Sequence, residues 1–377
     1  MPNISNLLNV LEELAPNKLA ADWDRTGLHV GKLTSSCKNV LLTIDLTESV
    51  VLEAINSNID CIISYHPLIF SPIIKLNEST KTSKIALMCA ENHISVISPH
   101  TTLDASPNGM GAALVKLCGE GTTIPICPAF NKEKMSKIIV FAPKEASENI
   151  RNSISKLGGG QIGKYKNCSF ITEGKGTFFS STITTPFIGE KNAANCVDEQ
   201  RIEMVIPNTQ ITSVVSEILK KHPYETPAID LVPLEPLPIL ESGRAWMQIL
   251  KNPETIENVL NRVAKKIKIN SLRFSKSHLG DLDKLITKIA GCPGSGKQFA
   301  KDASSAGAEL FITGEMTHHD LLDLSDLPMD IALLGHYYSE SHFLPELLSD
   351  LKLKMKKTNF KISDIDESPW KLFNATS

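Results

Sequence analysis

Val40-Leu41-Leu42-Thr43-Ile44-Asp45 is a run of branched apolar residues that ends on a carboxylate. Val50, Val51, Ala54 and Ile55 then recur with helical spacing, and Asp60-Cys61-Ile62-Ile63-Ser64 forms a second apolar run. A 3.6-period segment between two short apolar runs is the signature of a β-α-β unit and hence of a parallel sheet. The expected fold class is therefore α/β. In open parallel sheets ligands collect outside the carboxyl ends of the strands. Residues just past each strand are thus the first place to look for chemistry.

The second run continues into Tyr65-His66-Pro67-Leu68-Ile69-Phe70. His66 ends the strand, and Pro67 prevents a helix from starting at once. A further apolar run, Ile94 to Ser98, leads into Pro99-His100-Thr101-Thr102-Leu103-Asp104, with a carboxylate four residues after an imidazole. Near the C-terminus Ile331 to Leu334 leads into Gly335-His336-Tyr337-Tyr338-Ser339-Glu340, and Leu344, Leu347, Leu348 and Leu351 continue with helical spacing. His336 and Glu340 therefore share one helix face and are close enough to hold one ion. Each motif alone has a plainer reading. A histidine past a strand is usually a core residue bonded to backbone, and His–Glu pairs four apart are common on helix surfaces. Three such groups at the same strand-end address argue for a shared cation site.

The chain has 377 residues, too many for one ordinary core, so two or three domains are expected. Hydrophobic residues make up 42% and charged residues 21%, with a net charge of −3 and no basic block. That balance excludes an electrostatic nucleic-acid footprint, and no apolar run reaches the length of a spanning helix. The start, Met1-Pro2-Asn3-Ile4-Ser5, lacks the basic flank of a signal or transit peptide and passes directly into an amphipathic helix through Leu7, Leu8, Leu11 and Leu14. The eight cysteines form no C-x-x-C pair, which argues for buried thiols in a reducing, cytoplasmic setting.

Proline-containing stretches at 124–128 and 232–238 bracket a middle segment. Within it, strands are expected at Lys137 to Ala142, Cys168 to Thr172, Thr177 to Ile183, Ile202 to Ile206 and Ala228 to Leu231. Helices run through Ile150, Ile154 and Leu157 and through Ile211 to Leu219. The β-α-β-β-α-β order is that of a ferredoxin-like sandwich. His222-Pro223-Tyr224-Glu225 reads as a packed turn. In the last segment Gly291-Cys292-Pro293-Gly294-Ser295-Gly296-Lys297-Gln298 nearly spells a phosphate-binding loop. Gln298 replaces the required hydroxyl, and Pro293 removes a donor, so a tight strand-to-helix turn is the better reading. Gly314-Glu315-Met316-Thr317-His318-His319 follows another strand, which makes Glu315 and His318 candidates to contact substrate or support the ligands. The polar tail from Ser363 onward is expected to fray.

Taken together these motifs resemble the NIF3 family (NGG1-interacting factor 3-like, also called GTP cyclohydrolase 1 type 2-like). Trp23-Asp24-Arg25-Thr26-Gly27-Leu28, Tyr65 to Phe70, His100 to Asp104, Thr313 to His319 and Gly335 to Glu340 occur in the family's order. The middle segment is similar to the inserted domain of longer members through Gly158 to Gly163, Gly174 to Phe178 and His222 to Glu225. The resemblance implies a NIF3-like two-lobed α/β fold with an inserted ferredoxin-like α+β domain of the PII/CutA type. Residues 1–125 and 240–377 would form the lobes and 130–236 the insert, in a ring-shaped homo-oligomer. It implies one or two divalent ions (Zn, Fe or Mn) between the lobes. One would be held by His66, His336 and Glu340, and the other by Asp104 with a bridging Glu340. Bacterial members carry an imidazole where this chain has Tyr65. Either His100 or a Tyr65 phenolate completes the second ion, or the site holds one. The implied chemistry is metal-dependent hydrolysis of a small molecule, a nucleotide or related compound. A competing reading is a non-enzymatic interaction protein that contacts a transcription co-regulator and uses the ion structurally. A third is a metallochaperone or sensor with the insert as ligand reader.

Overall fold

The computed structural model describes residues 2–130, 133–275, 281–366 and 368–370. The chain divides into two compact units, one made of residues 1–130 and 238–377 and the other of residues 131–237.

The first unit contains two large sheets. In the five-stranded sheet Asn39–Thr43, Cys61–Ser64 and Ser95–Ser98 are parallel neighbours, with Gly27–Val30 antiparallel at one edge. The other edge is Asn359–Ile362, parallel to Asn39–Thr43. The three central strands are buried almost throughout, as a sheet covered on both faces requires. The six-stranded sheet has Leu285–Gly291, Leu310–Thr313 and Asp330–Leu333 in parallel. Ala245–Thr255 and Gly121–Ile126 extend it on one side and Arg273–Ser275 on the other, all antiparallel. Each outer segment of the chain thus gives a strand to the sheet built mainly by the other. Residues 121–126 lie in the C-terminal sheet, and residues 359–362 lie in the N-terminal one.

Helices seal these sheets for reasons legible in their sequences. Ile4–Leu14 opens on a reciprocal cap between Asn3 and Asn6 and buries Ile4, Leu7 and Leu11. Leu344–Lys354 buries Leu344, Leu347 and Leu351 into the same core as Leu42, Ile63 and Phe343. Full burial of such side chains contributes about 1.5–3 kcal/mol each. The tail does not fray where expected. Ser363 donates its N–H to the Leu42 carbonyl at 2.8 Å, and the Asp366 carboxylate accepts the Ile44 N–H at 2.6 Å. Ladder hydrogen bonding continues past the last strand because these polar groups find backbone partners. Residues 371–377 lie outside the described residues.

In the second unit Met135–Ala142, Phe170–Phe179, Ala194–Pro207 and Ile229–Leu234 form one antiparallel sheet. In space Ile229–Leu234 is followed by Met135–Ala142, Ala194–Pro207 and Phe170–Phe179. Helices Lys144–Lys156 and Ile211–Lys221 share a core with Ile138, Val140, Ile202 and Met204. The two strands expected at Cys168 to Thr172 and Thr177 to Ile183 are one strand, Phe170–Phe179, running through Gly174 and Gly176. Its partner Ala194–Pro207 is long enough to pair along its whole length, which outweighs the low strand preference of glycine.

Candidate metal centre

The centre is assembled twice by the same device, once in each sheet of the first unit. In the N-terminal sheet, hydrogen bonding continues past the strand ends: Tyr65 N–H donates to Thr43 at 2.9 Å and His66 N–H to Ile44 at 3.0 Å. That continuation puts Asp45 beside His66, with Oδ1 3.0 Å from Nδ1. In the C-terminal sheet Leu334 N–H donates to Thr313 and Gly335 N–H to Gly314, both at 2.9 Å. Glu315 Oε1 there lies 3.1 Å from His336 Nδ1. Gly335 makes the turn into the next helix with φ +89°, a backbone region open to glycine and strained for a side chain.

With both Nδ1 atoms facing carboxylates, both Nε2 atoms face inward toward Glu340. His336 Nε2 is 3.1 Å from Glu340 Oε1, and His66 Nε2 is 3.5 Å from Glu340 Oε2. Glu340 reaches this point because His336–Ser341 is a helix and the spacing of four stacks the two side chains. Its carboxylate is only 2% exposed, and Oε2 has no hydrogen-bond partner. One ligand atom each from His66, His336 and Glu340 falls within a mutual spread of 4.8 Å.

Electrostatics follow from this packing. Burial opposes a charged His66, but Asp45 and Glu340 outweigh it and push the imidazole up to about 10. Glu340, working against burial and aided by Glu315, pushes His336 up to about 9. Burial acts to raise Glu340, yet the two imidazoles hold it below the ordinary carboxylate range. A carboxylate buried between two imidazoles is a site built for positive charge. A divalent cation in place of the two protons satisfies the same groups. The donor set fits an ion. The outer carboxylates also fix each ring with Nδ1 protonated and Nε2 available as a ligand.

The other candidates meet different fates. Asp104 lines the same cavity, but the Tyr65 hydroxyl donates to its Oδ1 at 2.7 Å. Burial pushes the Tyr65 phenol well above its ordinary range and Asp104 up to about 7. Tyr65 is thus placed as the phenol that donates to Asp104. His100 lies with its ring centroid 5.5 Å from that of His66, and its Nδ1 faces Asp24 Oδ1 at 2.6 Å, the same carboxylate support that His66 and His336 have. It sits at φ +38°, a strained backbone for a non-glycine residue, held by Asp24, which also accepts the Thr101 N–H. Glu315 supports His336 as described. His318 is exposed and is not among the residues lining the cavity. The reciprocal cap between Thr317 and Asp320 starts a helix at His318.

Asp45 and Asp24 were not singled out as site residues from sequence. The signal for Asp45 was present: it stands two residues past a parallel strand adjacent to the one that delivers His66. The glycine-rich stretch has a use other than phosphate binding. Gly294 N–H donates to Ser339 Oγ at 2.9 Å, and its carbonyl accepts from Glu315 N–H at 3.0 Å. A Cβ at position 294 would lie 2.8 Å from Glu340 Oε1. The loop can cover the carboxylate only because that residue has no side chain.

Above these groups opens a cavity of about 550 Å³, whose lining includes Trp23, His100, Arg244, Gly294 and Gln298. Arg244 Nε is buried without a hydrogen-bond partner. The half-exposed Trp23 ring stands 5.7 Å from His100 and 6.0 Å from Phe70. All eight cysteines are free, and among the described residues no helix is long and apolar enough to cross a membrane.

Comparison with known proteins identifies the family. The model of the Duf34/NIF3 (NGG1p interacting factor 3) family matches residues 2–369. A protein of Bacillus subtilis named GTP cyclohydrolase 1 type 2 homolog is 30% identical over 374 residues, covering 98% of each chain. A Staphylococcus epidermidis protein of the same name is 32% identical over 372 residues, 98% of this chain and 99% of that one. The crystal structure of a Staphylococcus aureus protein superimposes with a TM-score of 0.77 at 28% identity, over 99% of both chains. A Bacillus cereus protein described as related to NIF3 gives a TM-score of 0.63 at 28% identity, again over 99% of both.

Proposed function

Because this chain belongs to the Duf34/NIF3 family, we propose that it is a metal-dependent hydrolase. Its substrate would be a small molecule of the nucleotide class, and one divalent ion would be held by His66, His336 and Glu340. The observation that carries this reading is Glu340, a buried carboxylate with one oxygen facing each of two imidazole Nε2 atoms, at the floor of a cavity large enough for a substrate. Two neutral imidazoles and a carboxylate suit Zn²⁺, Fe²⁺ or Mn²⁺. When bound, such an ion supplies Lewis acidity next to the space where substrate sits.

The chain's own residues do the rest. Asp45 and Glu315 keep both imidazoles in the ligating tautomer, and the Gly294 loop shields Glu340 from solvent on its side. Arg244 offers an always-charged donor set suited to a phosphate or carboxylate. Trp23 offers a flat apolar face at the mouth, suited to a planar base. The name of the relatives makes GTP the first compound to test. A purely structural ion would be closed by a fourth protein donor. Here three donors converge among the described residues and a cavity lies above them, which supports the enzymatic reading over the scaffold one.

The test is turnover of GTP and other nucleotides by protein carrying stoichiometric metal. Turnover is expected, and Glu340→Gln and His336→Ala should each remove both metal and activity while circular dichroism stays native. Metal-replete protein that converts no nucleotide or phosphoester would refute the proposal.

A further inference from the structure

A second cavity, of about 470 Å³, lies wholly within the unit of residues 131–237. The two helices of that unit pack on Val140 and Ile202. Strand alternation turns Phe141 and Glu199 to the opposite face of the sheet, where the cavity opens. Phe141, Phe179, Phe187 and Tyr224 supply aromatic walls, and Glu199 and Glu225 supply carboxylates. No lysine, arginine or histidine is among the lining residues.

Several details make this a built site. Phe187 and Tyr224 stand 6.3 Å apart at 47°, so their faces converge on the space between them. Gly176 leaves the strand bare where Glu199 crosses it; an added Cβ would collide with that carboxylate. The Tyr224 hydroxyl is buried beside Glu199, and burial together with that carboxylate keeps it protonated. Arg201 lies over Phe141 at 5.8 Å from the ring centroid, but its guanidinium is already paired with Glu203 at 2.9 Å. Glu199 faces the Tyr224 hydroxyl, a neutral group, so its charge is not offset by a cation in the cavity wall.

Ring faces carry negative potential, and a carboxylate beside them adds to it. Such a space attracts cations and repels phosphates. Its volume suits an organic molecule better than a bare ion. We propose that this cavity binds an organic ammonium ion, with the aromatic faces around the cationic head and Glu199 as the counter-charge. Its lining shares no residue with the candidate metal centre, and the proposal does not rest on the hydrolase reading.

Titration calorimetry on the full-length protein tests it with two isosteric probes, phenyltrimethylammonium and neutral tert-butylbenzene. The cation should bind at least about tenfold more tightly than its neutral twin. Glu199→Gln should remove most of that preference and leave the weak binding of the neutral probe unchanged. If Glu199→Gln fails to fold, Thr177→Lys, which places a competing ammonium in the lining, should abolish cation binding by itself. Equal binding of the two probes would overturn the proposal. So would cation binding indifferent to both substitutions. Binding of neither probe would also overturn it, and is the result expected if a second copy of the chain covers this face.

Discussion

The N-terminal and C-terminal halves of the candidate metal centre use the same construction up to one residue and then part. Each half has a carboxylate two residues past a parallel strand, Asp45 after Thr43 and Glu315 after Thr313, beside an imidazole past the next strand. After His66 comes Pro67, and the chain leaves the sheet without a helix. After His336 a helix forms at once and brings Glu340 back under both rings. One half therefore contributes only a neutral ligand, and the other contributes a neutral ligand and the charge. The N-terminal half has its own acid, the half-buried Asp104, but Tyr65 engages it. Similar scaffolds thus yield an asymmetric seat with one charged corner.

The largest test of that asymmetry is Glu340→Gln. It keeps the shape and removes the charge, and metal affinity should fall by more than about 100-fold in a competition titration with a chelating dye. Next come the paired supports. Asp45→Asn and Glu315→Gln should each weaken metal by about 10–100-fold, because they loosen the ring orientation without removing a ligand. Clearly unequal losses would break the equivalence of the two halves.

The far corner is expected to behave differently. Tyr65→Phe should leave metal content unchanged and cost about 1–3 kcal/mol in urea unfolding, since Asp104 loses its donor inside the core. Tyr65→His would sharpen the contrast: an imidazole next to a freed Asp104 should raise bound metal above one equivalent by elemental analysis.

The smallest effect concerns an imidazole with no carboxylate at hydrogen-bond distance. His222 Nε2 donates to the Phe141 carbonyl at 2.8 Å, and its Nδ1 accepts the Tyr224 N–H at 3.1 Å. Burial lowers its pKa, so the unfolded chain binds the proton more readily. His222 should therefore contribute stability above pH about 6.5 and lose it as pH falls below that value. A urea series at pH 7.5 and 5.5 on wild type and His222→Gln should show a smaller pH dependence in the variant.

Much of this was legible in the chain. Apolar runs with helical stretches between them marked the parallel strands, and His66, His336 and Glu340 were identifiable because strand ends are where such sheets bind. What was not legible depends on pairing between distant segments. Asp45 gains meaning only once Asn39–Thr43 is known to lie beside Cys61–Ser64. Asp24 gains it only when the loop holding Trp23 folds back onto His100. The glycines at 291–296 spelled a near-match to a phosphate loop because both uses need bare backbone, here against Glu340. His318 was singled out by its place after a strand, but its exposure could not be read from the sequence.

Strand Asn359–Ile362 has a consequence for how the protein is made. It closes the open edge of Asn39–Thr43, a partner 320 residues earlier in the chain. Until that strand has been made, the N-terminal sheet carries an unpaired rim of N–H and C=O groups, the kind of edge that recruits wrong neighbours. Production of this protein should therefore be sensitive to truncation before Asn359 and to chaperone supply. Co-produced fragments cut between the sheets should fold only in each other's company.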